Sequence, residues 1–173
     1  MSNDISDVAP KISVIIPCYN YGRYLQQAVE SIIAQTFRDF EIIIVNDGSN
    51  DNTRAVAENL IAQKPDFQIR LINQENSGQP AISRNRGIAD ASGQYILCLD
   101  GDDMILPTML EKCLNLLEQN EDIAIAYTDR QDFDGVDQVV CAGNYNFSRL
   151  KYANQIWFRS IDYFVLQHFC YYS

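Results

Sequence analysis

The chain holds a single histidine and no Cys-X-X-Cys pair, so nothing in it indicates a zinc site. Its five cysteines, at 18, 98, 113, 141 and 170, are odd in number and indicate no disulfide framework. Cys18 and Cys98 sit in apolar runs, where a reduced thiol behaves as a small hydrophobe. No run approaches the roughly 18 consecutive apolar residues of a membrane span. Residues 1–10 carry no basic-then-apolar signal and read as a flexible tail. Basic side chains are scarce as well: 13 against 23 acidic ones give a net charge of −10. Such a balance argues against a nucleic-acid backbone or an anionic membrane as the main partner. It leaves room for a phosphate ligand, because a bound metal reverses the local sign. These absences lead to a soluble, cytoplasmic domain, with any membrane association left to other parts of a longer protein.

What is present is a globular composition, 47% hydrophobic and 21% charged, on a 173-residue length that suits one domain. Ile12-Ser13-Val14-Ile15-Ile16 is β-branched and reads as a central strand, stopped by Pro17, which cannot donate to a ladder. Leu25, Ala28, Val29, Ile32 and Ile33 recur at helical spacing within 22–35. Glu41–Val45 is a second strand, apolar on both faces, that ends in the turn-and-cap cluster Asn46–Thr53. A helix carrying Ala55, Val56, Leu60 and Ile61 follows, then a weaker strand at Ile69–Ile72. Asn76–Pro80 opens a helix through Asp90; a strand at 95–99, a helix at 107–119 and a strand at 123–127 complete the pattern. Solid apolar strands alternating with helices predict a mainly parallel sheet with helices on both faces, a three-layer α/β sandwich. After Asp129 the pattern loosens, and the aromatics of 150–172 are expected to pack in a core or on helices. The final residues carry no polar tail or cap, as if cut from a longer chain.

In such folds ligands bind beyond the carboxyl ends of the strands. Three of those ends carry polar clusters, Pro17–Asn20, Asp47–Ser49 and Asp100–Asp103, which are expected to converge on one rim. In the last of them an apolar strand runs straight into Asp100, Asp102 and Asp103. Like charges this close resist joint ionisation unless something positive sits among them. An all-oxygen donor set suits a hard divalent cation, Mg²⁺ or Mn²⁺. The plainer alternative is a polar loop with an Asp capping the next helix.

Four motifs in order, Ser13–Asn20, Asp47-Gly48-Ser49 with Asp51 and Thr53, Asn76-Ser77-Gly78 with Ser83–Gly87, and Asp100-Gly101-Asp102-Asp103, resemble those of family 2 glycosyltransferases. The likeness covers roughly 11–128. It implies the GT-A, nucleotide-diphospho-sugar transferase type of fold, transfer with inversion, a UDP- or dTDP-linked sugar donor, and Mn²⁺ or Mg²⁺. It also divides the chain into a tail (1–10), a donor-binding domain (11–129) and the start of an acceptor-side region (130–173).

The resemblance carries roles onto particular residues. Asp47 would hold the donor base, since a carboxylate accepts the imide N–H of a pyrimidine, while an Asx turn with Gly48 is compatible with that role. Pro17, Tyr19 and Asn20 would line the nucleotide, with Gly48 and Gly78 in its loops. Arg84 would offer bidentate donors to the diphosphate, with Arg86 the lesser candidate. Asp100 would share ribose and metal, and Asp102 would be the chief metal ligand. The metal would neutralise the leaving diphosphate.

An inverting transfer also needs a base for the acceptor hydroxyl. Glu121-Asp122 lies too close to the acidic motif, Asp129 and Asp162 are unsupported substitutes, and His168 is expected to pack among aromatics. The base and the acceptor (saccharide, lipid or protein) are therefore expected beyond Ser173. The rival reading is a non-catalytic or incomplete nucleotide-binding module. A sugar-phosphate nucleotidyltransferase would carry a Gly-rich basic loop where Pro17–Asn20 stands, a dehydrogenase needs a GxGxxG after a strand, and a receiver domain needs a lysine after the fifth strand.

Overall fold

β1 (Ile12–Cys18) is buried at all seven residues and β2 (Phe40–Asp47) at all eight, so both are inner strands covered on two faces. The computed structural model describes residues 9–120, 122, 124–126 and 128, with the backbone of 130–132, 138–140 and 157–159. After β1 come α1 (Leu25–Ile33), β2, α2 (Thr53–Gln63), β3 (Gln68–Gln74), α3 (Pro80–Ala89), β4 (Tyr95–Cys98) and α4 (Met109–Gln119). Four short strands follow: β5 (Ile125–Ala126), β6 (Arg130–Asp132), β7 (Gln138–Val140) and β8 (Trp157–Arg159). Among the described residues six strands form one sheet, ordered β3-β2-β1-β4-β8-β5, and β6 pairs with β7. The first four pair parallel, with Ile12 opposite both Phe40 and Tyr95, and Glu41 opposite Gln68. β8 lies antiparallel between β4 and β5, placing Phe158 opposite Ile96 and Ile125. The expected architecture, a mainly parallel sheet with helices on both faces, is the one observed.

Alternation along the strands divides the core in two. Ile12, Val14, Ile16, Ile42 and Ile44 belong to the cluster that holds Leu25, Val29 and Ile32 of α1, Leu60 of α2, and Leu110, Leu114 and Leu117 of α4. Ile15, Ile43 and Val45 face the other way, toward Ile88 and Ala91. On that side α3 approaches so closely that a Cβ on Gly87 would lie 2.3 Å from Cγ2 of Ile15. Only a glycine permits that contact.

Two expectations about the elements are corrected. Pro17 does not end β1; it pairs with Val45, and Cys18 with Asn46. Ile15 O accepts from Leu99 N on the β4 side, and the strand's two-residue alternation turns Pro17's missing donor the same way, past the end of β4 at Cys98. No ladder bond is lost there. The first helix starts at Leu25 rather than 22, because Tyr21 O accepts from both Tyr24 N and Leu25 N at 2.9 Å in a tight turn. The aromatic segment contributes a sheet strand at Trp157–Arg159, too short for hydrophobic periodicity to register.

Candidate functional site

The carboxyl ends of the four parallel strands meet at one rim, and side chains tie the loops there to one another. Asn20, after β1, is held in the left-handed region at φ 59°. Its N–H donates to Ser49 Oγ (3.0 Å), and its Oδ1 accepts from Asn50 N (2.8 Å) and Asp51 N (3.3 Å). Asp51 accepts from Gly22 N (3.0 Å), from Thr53 N (2.9 Å) and from the Thr53 hydroxyl, an Asx turn that leads into α2. Asn20 is thus part of the frame that joins the loops after β1 and β2.

Asp47 joins β2 to the loop after β3. Only 5% exposed, it accepts from Gln74 Nε2 (2.6 Å) and Ser77 N (3.0 Å) on Oδ1, and from Ser77 Oγ (2.9 Å) on Oδ2. A carboxylate offers about four lone-pair sites, which leaves Oδ2 able to take a further donor. Gly48 follows with φ 66°, and a Cβ there would lie 2.6 Å from Asn76 N, so a side chain would part the two loops. Gly78 sits exposed beside Ser77. Pro17 is buried within β1, whereas Tyr19 stands at the rim 44% exposed.

The acidic loop after β4 is tied to α3 and to the loop after β1. Arg84 Nη2 pairs with Asp100 Oδ1 at 2.5 Å, both side chains about one-fifth exposed at 19% and 21%. Arg86 instead pairs with Asp90, four residues on, at 2.8 Å. Asp103 N closes a turn on Asp100 O at 3.0 Å. Burial raises the Asp102 pKa above the usual carboxylate range, the Asp100 charge adds to this, and the Tyr21 hydroxyl and a backbone N–H pull against it. Tyr21 is pushed up to about 12 by burial first, then by Asp102 and Asp100. Burial raises Cys18 as well, and pushes Cys98 up to about 12 against the pull of Arg84, so both thiols are protonated at neutral pH. Cys18, Cys98 and Cys113 are free thiols.

The chain leaving the acidic loop is anchored to the end of α1. Ile105 N donates to Ser31 Oγ (3.2 Å), Gln35 Nε2 to Leu106 O (2.8 Å) and Thr36 N to Pro107 O (2.8 Å). Gln35, fully buried, also accepts from Leu110 N at 3.0 Å. Sequence reasoning missed Gln35, Tyr21 and Gln74, and named Ser77 within the Asn76-Ser77-Gly78 motif without giving it a role. Each lies on or next to a strand-end loop or helix terminus, the only signal it offers. Asp129, Asp162 and His168 lie outside the described residues.

The donor chemistry at the rim fits a hard cation. No group of three or more His, Cys, Asp or Glu able to hold a metal occurs among the described residues. Two rim carboxylates, Asp100 and Asp102, match the way Mg²⁺ is commonly bound, by one or two carboxylates with the remaining ligands from substrate phosphates and water.

A parallel α/β sheet with its polar loops gathered beyond the carboxyl ends is the layout of a nucleotide-binding domain. A sequence model described as glycosyl transferase family 2 matches residues 13–172. The chain belongs to glycosyl transferase family 2. It is 38% identical over 126 residues to glycosyltransferase GlyG of Streptococcus pneumoniae serotype 4, covering 72% of this chain and 41% of that one. The chain therefore spans less than half the length of that curated relative. S. aureus TarS 1-349 in complex with UDP superposes with a TM-score of 0.71 at 25% identity, over 86% of this chain and 46% of the other. The mannosyltransferase PcManGT of Pyrobaculum calidifontis, in complex with GDP-Man and Mn²⁺, shares the fold with a TM-score of 0.70 at 15% identity, over 88% and 45%. The fold is thus of the GT-A type. Among the described residues no helix is long and apolar enough to cross a membrane.

Proposed function

We propose that this chain is the donor-binding part of a glycosyltransferase that moves a sugar from a nucleotide diphosphate, UDP foremost, to a hydroxyl acceptor with inversion. The observation that supports the reading is the Arg84–Asp100 ion pair, between α3 and the loop after β4, at the rim whose strand ends also carry Asp47 and Asp102, in a family 2 chain. The TarS complex with UDP supports a uridine donor.

Each residue has a physical task. Asp47 is fixed by Ser77 and Gln74, so its remaining acceptor site on Oδ2 is pre-oriented for a pyrimidine N–H. Exposed Tyr19 offers its ring to the base. Arg84, paired with Asp100, is the guanidinium proposed to meet the phosphate oxygens. Asp102, with Asp100, would hold Mn²⁺ or Mg²⁺. When bound, the metal supplies charge neutralisation for the leaving diphosphate.

Calorimetric titration of UDP into the chain, with and without Mn²⁺, tests the reading. Binding that requires the metal and disappears in Asp102→Ala is the expected result. Failure of UDP, dTDP and GDP alike would reduce the reading to the fold. Hydrolysis of a UDP-sugar without acceptor then separates an enzyme from a module that only holds the nucleotide.

A further inference from the structure

Asp47 and Gln74 are the last residues of β2 and β3 and stand opposite one another in the ladder. Strand alternation puts Asp47 on the face of Ile43 and Val45, the face on which α3 packs. Gln74 meets two neighbours there with one atom: its Nε2 donates to Asp47 Oδ1 at 2.6 Å and to Ser83 Oγ, on α3, at 3.3 Å. An amide nitrogen carries two hydrogens, so both bonds hold at once. An ionised carboxylate only accepts, which turns the nitrogen of the amide, not its oxygen, toward Asp47. Ser83 is a firm anchor. It is 1% exposed, and Gly87, one turn further along α3, is seated against Ile15 and Val45. The residue after Ser83 is Arg84, which pairs with Asp100.

We infer that Gln74 is the positioning residue for the base-reading carboxylate: its amide bridges Asp47 to α3 and leaves Oδ2 as the oxygen open to the donor base. The inference rests on the donor-binding reading of Asp47. Oδ1 takes two donors, Gln74 Nε2 and Ser77 N, while Oδ2 takes one, Ser77 Oγ. With about two lone pairs on each oxygen, the free one lies on Oδ2. Ser77 holds the carboxylate from its loop, whereas Gln74 ties it to a buried residue of the helix that also carries Arg84. Without the amide, Oδ1 regains an open lone pair and the carboxylate a second way to face a donor. The loss therefore falls on recognition of the base and spares the diphosphate.

The test is calorimetric titration, with Mn²⁺ present, of UDP and of inorganic pyrophosphate as a base-free probe. It compares wild type, Gln74→Met, Asp47→Ala and the double variant, each shown to be folded by a thermal melt. Gln74→Met keeps the length of the side chain and removes the donor. The expected result is a roughly tenfold or greater loss of UDP affinity with pyrophosphate affinity unchanged. In the Asp47→Ala background the same change should have no further effect. Wild-type UDP affinity in Gln74→Met would overturn the inference. So would an equal loss for pyrophosphate, or an undiminished loss in the Asp47→Ala background, either of which marks a general packing role. Should wild type fail to bind UDP, or Asp47→Ala bind it like wild type, the donor reading of Asp47 fails and this inference with it, an outcome distinct from failure at Gln74 alone.

Discussion

The two ends of the sheet each hold a carboxylate in a strand or strand-end loop, and the environments oppose one another. At the amino end, Glu41 has a side chain only 3% exposed. It accepts from Ser13 Oγ (2.7 Å), Ser92 N (2.8 Å), Ser92 Oγ (2.6 Å) and Arg70 Nη2 (2.7 Å). Burial works to raise its pKa, but these four donors prevail and hold it below the usual range. At the carboxyl end burial raises the Asp102 pKa and the Asp100 charge adds to it, while a backbone N–H and the Tyr21 hydroxyl only partly offset them. Donors have been spent on the end that only has to hold. The end where a ligand is proposed to arrive leaves Asp102 less satisfied, while Arg84 pairs with Asp100 beside it.

Breaking the rim should cost function and spare the fold. Asp102→Asn is expected to lower sugar transfer by about three orders of magnitude, since a metal supplies several kcal/mol to the transition state and each 1.36 kcal/mol is tenfold. The sign for stability is opposite. A folded-state pKa above the unfolded one means the native chain binds more protons in that window, so ionised Asp102 weakens the fold at neutral pH. A melting temperature equal to or above wild type is therefore expected in Asp102→Asn, read by differential scanning calorimetry.

Breaking the amino end should do the reverse. Glu41→Ala leaves Ser13 and Ser92 without this acceptor and Arg70 with only the Asp90 carbonyl, and should cost about 2–3 kcal/mol, discounted because Arg70 can reach water. For a chain of this size that is a fall of about 5–10 °C in Tm. Mn²⁺-dependent UDP affinity, measured well below the transition, should stay at its wild-type value; a large loss would collapse the distinction between the two ends. A smaller effect follows from pH. Because the Glu41 pKa is depressed in the folded state, its contribution is present above the unfolded value near 4.3 and is lost as pH falls through the folded one. Glu41→Gln should flatten the acid limb of the stability curve in that window, as urea titrations at stepped pH would register.

The amino end was nearly silent in the sequence, and the rim was not. Apolar runs such as Ile42–Val45 and the 3–4 spacing of Leu25, Val29 and Ile32 encode strands and helices directly, and the polar clusters at Asp47 and Asp100 break those runs visibly. Glu41 reads as one polar residue before an apolar run. Its four donors come from Ser13, Arg70 and Ser92, up to 51 positions away, and only the fold assembles them. Tyr21 was hidden similarly: a tyrosine in a turn has no periodicity, and its packing against Gly101 joins two strand ends. β8 was illegible because three residues cannot show a period, and its partners β4 and β5 are distant in the chain.

Asn20 gives the smallest effect and sharpens the comparison within the rim itself. The sequence grouped it with the nucleotide contacts, yet its side chain accepts from Asn50 N and Asp51 N and its φ is 59°. Asn20→Gly keeps the left-handed conformation at no steric cost and loses only two exposed hydrogen bonds, so about 1 kcal/mol of stability should go. Asn20→Ala loses the same bonds and adds a Cβ to that conformation, a further cost of about 1 kcal/mol. If Asn20 is framework, UDP affinity in the two variants should fall in step with stability, both small. If it touches the nucleotide, both variants lose affinity equally, because each lacks the same amide, while their stabilities still differ. The ratio of the two losses, from calorimetric titration beside thermal melts, therefore distinguishes a rim residue that braces the loops from one that meets the ligand.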